Sequence, residues 1–117
     1  MTHLQVGEAS AKIDAAKYMV ERACREIDEW AAHHEYMPQQ DRARICRDAA
    51  LADQLVWQAV DILASAAGGS FSRTQNIMNR IWQDVKVGGQ HPFVSLSSNL
   101  ELYGRLLCGV EPALMPV

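Results

Sequence analysis

Arg80-Ile81-Trp82-Gln83-Asp84 puts a cation, an indole and a carboxylate within five residues, and His91 follows seven residues after Asp84. Imidazole titrates near neutrality, so a histidine in a turn can take or give a proton at a bound molecule. His91 stands between Gly88-Gly89 and Pro92, where the chain must bend. It either caps the preceding helix or does acid–base chemistry, and spacing alone leaves both readings open. Of the other large aromatics, Trp30 fits an apolar helical stripe and is expected in the core. Trp57 is expected at a contact between subunits, where aromatic residues concentrate.

Other chemistries lack their residues. No glutamate has a histidine three positions on, as a di-iron bundle requires, and H-E-x-x-H, the P-loop, G-x-G-x-x-G and G-x-S-x-G are absent. His33 and His34 are neighbours about 100° apart on a helix, a poor joint metal site; a favourable interaction with the helix C-terminus is expected instead. Cys24, Cys46 and Cys108 form no C-x-x-C and are expected to be reduced thiols of a cytoplasmic protein. No metal is expected. The formal charge of -3, with basic and acidic residues interleaved, argues against a nucleic-acid partner. There is no signal-peptide pattern and no apolar run near the ~20 residues that cross a bilayer, so no membrane partner is expected.

The elements that must position these residues follow from periodicity. The 117 residues suit one domain with one modest core. Residues 1–9 are expected to be a disordered end and residues 111–117 a tail, leaving 10–110 for the fold. Ile13, Ala16, Val20, Ala23, Cys24, Ile27, Trp30, Ala31 and His34 step by three and four, which predicts a helix from Ser10 ended by Pro38. Ile45, Ala49, Ala52, Val56, Ala59, Leu63 and Ala66, with Leu51, Leu55 and Ile62 beside them, predict a second helix over about 40–67, stopped by Gly68-Gly69. Ser72 and Gln75 read as a capping box for a third helix carrying Ile77, Met78, Ile81, Trp82 and Val85. A fourth runs from about Ser95 to Cys108 with Leu96, Leu100, Tyr103, Leu106 and Leu107 inward, closed by Gly109. No segment has a strand's alternation. The fold class is all-α, an antiparallel four-helix bundle. Its second helix has two apolar faces but only one core to fill, which predicts at least a homodimer through surplus surface that includes Trp57.

From about Asp41 to Pro112 the chain resembles the C-terminal helical domain of the acyl-CoA dehydrogenase superfamily, closest to its flavin-dependent monooxygenase branch, the oxygenase components of two-component hydroxylases. The matching pieces are Arg44-Ile45-Cys46-Arg47-Asp48-Ala49-Ala50, Ala67-Gly68-Gly69-Ser70-Phe71, Met78-Asn79-Arg80-Ile81-Trp82-Gln83-Asp84-Val85, His91 and Tyr103-Gly104-Arg105. The first helix fits by pattern only. The resemblance implies a bundle that assembles dimers and tetramers, with the third helix and following turn lining a flavin and substrate pocket. It assigns His91 to acid–base catalysis beside the flavin, Trp82, Phe71, Ser70, Gly69 and Arg73 to the substrate and cofactor pocket, and Arg80 and Asp84 to support. One departure is Gln83-Asp84 where the family has Arg-Asp. Another is that no N-terminal helical domain or middle β domain precedes the bundle, so the chain looks like a stand-alone copy of one domain.

Two function classes follow. One is part of a flavin-dependent hydroxylase acting on a small aromatic or polyketide-like substrate, with reduced FMN or FAD held weakly or not at all by the isolated chain and a partner chain carrying the missing flavin-binding domains. The other is a repurposed, flavin-free helical dimer that binds or transforms a small hydrophobic molecule in secondary metabolism. A purely structural dimer ranks last, because it would give the histidine nothing to do.

Overall fold

The computed structural model describes residues 2–68, 76–91 and 94–110, and these form four helices: α1 (His3–Ala32), α2 (Gln39–Ala66), α3 (Ile77–Gly88) and α4 (Leu96–Leu107). No strand occurs among the described residues. The expected Ser72–Gln75 capping box and the tail 111–117 lie outside them.

The helix ends differ from expectation for local reasons. The N-terminal residues are helical from His3, because Thr2 and Gln5 form a capping box: the Thr2 hydroxyl accepts from the Gln5 amide at 3.2 Å, and the Gln5 side chain accepts from the Thr2 amide at 2.9 Å. At its other end α1 stops well before Pro38. The Glu35 amide reaches back to the Trp30 carbonyl and the His34 amide to that of Ala31, a Schellman closure that puts His34 in the left-handed region at φ 53°. His34 therefore lies beyond the helix rather than on its stripe, and Pro38 serves as the N-cap of α2. The same closure ends α4, with Gly109 at φ 72°. For α3 the N-cap is Asn76, whose side chain accepts from the Met78 amide at 2.8 Å.

α2 is the hub: α1, α3 and α4 each pack against it. Cross-helix pairs fix the direction of α1. Lys12 donates to Gln58 at 2.8 Å, Arg22 to Asp48 at 2.5 Å and Arg44 to Glu26 at 2.6 Å, so numbers rise on one helix as they fall on the other. The two run antiparallel in constant register.

The buried surface between them is built of the smallest apolar side chain. Ala9, Ala16 and Ala23 recur every seven residues on α1, as do Ala43 and Ala50, and again Ala52 and Ala59, on α2; all are buried. A seven-residue apolar repeat describes two helices winding along each other, and methyl groups on that seam let the backbones approach closely. The stripes expected from bulkier residues are displaced accordingly. Ile13, Val20 and Ile27 sit at the edge of the seam and stay half-exposed, Ala49 is exposed, and on α4 the buried pair is Asn99 and Leu102 while Leu100 and Leu107 face outward. Periodicity found the apolar side of each helix but not the line of closest approach, which small residues occupy.

One charged group lies in this interior. Asp48 is 1% exposed and holds Arg22 of α1 at 2.5 Å and its neighbour Arg47 at 2.6 Å, with Arg44 at 3.9 Å. Arg47 also lies over the Tyr103 ring at 4.6 Å, which extends the network to α4. A buried carboxylate is tolerated only when its charge and lone pairs are met in this way.

If the seam sets the helix spacing, Ala59→Leu, at a position with no exposed surface, lowers stability by about 1–3 kcal/mol through overpacking. The control Ala31→Leu, at an exposed position on α1, stays within about 0.5 kcal/mol. Urea denaturation followed by circular dichroism measures both.

Candidate functional site

α3 bears the residues that the sequence singled out, and it has no fully buried residue of its own. Aromatic contacts hold it to α2. The Trp82 and Trp57 rings lie 5.3 Å apart, tilted by 50°, and the Trp82 indole N–H donates to Asp61 at 3.4 Å. The Lys86 ammonium sits 4.9 Å from the Trp82 ring centre and 5.9 Å from that of Trp57. Tilted ring pairs and a cation over two indole faces each add attraction beyond burial alone. Within the chain the neighbour of Trp57 is Trp82, and the indole stays partly exposed. Trp30 is only partly buried, at the end of α1.

The end of α3 is fixed by a second contact. Gly89 caps the helix with ordinary αR backbone, so its missing side chain serves spacing rather than a left-handed turn. A Cβ there would stand 2.6 Å from Asp53 Oδ2 of α2. Burial raises the pKa of the Asp53 carboxyl above its ordinary value. Asp53, Gln54, Trp57, Lys86 and Gly89 line a cleft of about 260 Å³ at this end. Asp53 also borders a larger, almost wholly apolar groove of about 590 Å³ between α1, α2 and α3, whose walls include Ile13, Val20, Ala52, Val56 and Val85. Sequence reading missed Asp53, although a carboxylate between Ala52 and Val56 in an apolar stripe was the available signal.

His91 stands two residues past the Gly89 cap, exposed, and its carbonyl accepts from the Val94 amide at 3.0 Å. The C-cap position of α3 is Gly89. Arg80 and Asp84 are exposed on α3. Gly69, Ser70, Phe71 and Arg73 lie outside the described residues. His33 does what its position suggested: its Nδ1 lies 2.8 Å from the Glu29 carbonyl in the last turn of α1.

The Trp82 ring already lies against Trp57 and Lys86, and neither Trp82 nor His91 lines the cleft or the groove. A ring system as large as isoalloxazine needs enclosure on several sides with a few placed polar groups. Among the described residues no cluster of three or more histidine, cysteine or acidic side chains could hold a metal. No helix of the described residues is long and apolar enough to cross a membrane.

The profile of the family described as acyl-CoA dehydrogenase, C-terminal domain, matches residues 1–96. The chain belongs to that family. The match takes in α1, which the sequence resemblance reached by pattern only. The oxygenase component of p-hydroxyphenylacetate 3-hydroxylase from Acinetobacter baumannii is 24% identical over 109 residues, 93% of this chain and 26% of that protein. XiaF from Streptomyces sp., solved in complex with FADH2 and glycerol, superposes with a TM-score of 0.91 at 28% identity over 99% of this chain and 30% of its own. The HsaA monooxygenase from M. tuberculosis shares the fold, with a TM-score of 0.88 at 24% identity over 97% of this chain and 30% of its own. The acyl-CoA dehydrogenase C-terminal-type chain therefore spans less than a third of these relatives.

The Asp53 carboxyl gives this region a pH signature. Its folded-state pKa lies above the unfolded one, so its charge opposes folding once pH rises through the folded value, and the penalty vanishes below the unfolded value, where both states are protonated. Asp53→Asn is expected to melt higher than the parent at neutral pH, with the difference fading on acidification. Thermal melts across pH measure it; a variant less stable at neutral pH would mean that the carboxylate holds a partner essential to the fold.

Proposed function

We propose that this chain supplies the helical-bundle part of a flavin-dependent hydroxylase acting on a small aromatic or polyketide-like substrate. The observation that supports it best is the likeness over 99% of the chain to XiaF, whose solved structure contains FADH2. The chain covers 30% of XiaF, so the reading includes a partner chain carrying the other domains, and a homo-oligomer of the bundle itself. Reduced FMN or FAD, when bound, supplies the redox chemistry with oxygen. This chain's part is local. His91, exposed in the turn after α3, takes or returns a proton at a substrate hydroxyl. The Trp57–Trp82–Lys86 cluster fixes α3, and with it the turn. Trp82, Gly69, Ser70, Phe71 and Arg73 form the adjoining pocket wall, and Arg80 and Asp84 steady it.

A second reading, a flavin-free helical dimer that takes up a small hydrophobic molecule, is favoured by one observation: the apolar groove of about 590 Å³ lies within the size range of small-molecule sites.

Flavin titration separates the two. One wall gives too few contacts to offset the loss of rigid-body freedom, so calorimetry of the isolated chain with oxidised and reduced flavin should give a Kd no better than roughly micromolar to millimolar. Sub-micromolar binding would replace the partner requirement with a self-sufficient flavoenzyme. The catalytic claim is tested in a chimera in which this chain replaces the matching segment of XiaF. His91→Ala there should cut substrate turnover with reduced flavin by roughly 10² to 10⁴. In the isolated chain the same substitution should change stability by no more than about 1 kcal/mol. Full turnover in the variant would end the acid–base assignment.

A further inference from the structure

Gly89 is set apart from the other described glycines. A Cβ built on Gly7, Gly68, Gly88, Gly104 or Gly109 meets nothing within 4 Å. At Gly89 it would stand 2.6 Å from Asp53 Oδ2 and 3.4 Å from both Asp53 Cγ and the Val85 carbonyl oxygen. The shortest of these lies far inside the roughly 3.5 Å at which non-bonded heavy atoms pack. The backbone of Gly89, at φ -73° and ψ -6°, is open to any residue, so it is the carboxyl of α2 that leaves no room for a side chain. That carboxyl is itself out of keeping with its surroundings. Asp53 is half-buried and borders the groove with Ala49, Ala52 and Val56 of its own helix. Such a site favours an apolar side chain, and burial raises the pKa of the carboxyl. Packing alone does not account for it.

Its position on α3 suggests what it does. Trp82 rests on Trp57 at one level of α2, and Gly89 rests on Asp53 about 10 Å further along the α3 axis. Two contacts fix the direction of a rod, whereas one leaves it free to pivot. Without the second, the end of α3 swings about Trp82. That end carries His91, which follows Gly89 with one residue between. The link is short and tied to its surroundings by backbone hydrogen bonds. The Gly89 amide donates to the Val85 carbonyl at 3.0 Å, the Gln90 amide to that of Val87 at 3.2 Å, and the Val94 amide to that of His91 at 3.0 Å. A shift of Gly89 therefore carries the turn with it. Of the two helices in contact, α3 is the one that yields, because it has no fully buried residue while α2 is packed under three others.

We propose that Asp53 is the positioning residue of the His91 turn: its carboxyl, seated where a side chain at residue 89 would stand, sets how far the end of α3 lies from α2 and so where the imidazole is held. The proposal rests on the acid–base role given to His91 above. Asp53 touches no reacting group in it and acts only through Gly89.

NMR of the full chain tests the placement without flavin or substrate. Gly89→Ala should move the His91 ring and Val94 amide resonances, and Asp53→Ala, which removes the stop, should move them too. In the double variant the new methyl takes the space that the carboxyl left, so both signals should return toward the parent. An effect of the methyl along the chain alone would persist there. Gly88→Ala, where a Cβ meets nothing within 4 Å, is the control and should leave both signals near the parent. Should Gly89→Ala loosen α3, Asp53→Ala, which introduces no clash, gives the same reading. In the XiaF chimera Gly89→Ala and Asp53→Ala should each lower kcat roughly 10- to 100-fold with KM little changed, the effect of about 1 Å of misplacement, and the double variant should recover most of the loss. His91 signals indifferent to Gly89→Ala, as when Asp53 turns aside into the cleft, end the proposal, and so does a double variant without recovery. Turnover lost in His91→Ala but kept in Gly89→Ala ends this proposal alone. Full turnover in His91→Ala ends the acid–base reading, and the proposal with it.

Discussion

The close approach of α1 and α2 along their alanines governs the rest of the structure. Methyl-sized side chains at seven-residue intervals bring the two long helices together, and the space between them admits little else. The Asp48 carboxylate fits because Arg22 from α1 and Arg47 from α2 reach it and because Arg47 in turn stacks on Tyr103. One buried charge thus ties three helices into a single register. It specifies which residues of α1 meet which of α2, whereas an alanine seam alone would tolerate a slip of one heptad at small cost.

That geometry divides labour between the helices. α2 sits under all three others and has little surface to spare. α3 is short, has no fully buried residue and depends on the tryptophan pair, Lys86 and the contact of Gly89 with Asp53. An element held by a few contacts at its flank and end opens locally more easily than one set in the core. The turn that carries His91 hangs from that element, so its placement depends on the aromatic contacts several residues earlier.

The family assignment bears on how the region around α3 is read. The chain spans under a third of its relatives, and neither Trp82 nor His91 lines the cleft beside Gly89 or the larger apolar groove. On the proposed reading, further domains close over α3 and its turn and make the exposed His91 an edge of a site.

The sequence by itself determined that the chain is helical, how many helices there are, roughly where each lies, and, through Arg80 to Asp84 and His91, which family it resembles. Those features are local: apolar spacing, glycine stops at Gly68 and Gly109, and short strings of residues. Tertiary structure decided the rest. Hydrophobic spacing marks a face about 100° wide but not the line of closest approach within it, so bulky Val20 and Leu100 looked internal while Ala9, Ala43 and Asn99 took the interior. The same limit hid the partners of Trp57, which a lone aromatic in sequence cannot reveal, and the position of Asp53, whose significance depends on Gly89 arriving from another helix. Pro38 looked like a terminator, yet backbone hydrogen bonds from His34 and Glu35 had already closed α1, because a helix ends where its last carbonyls first find partners.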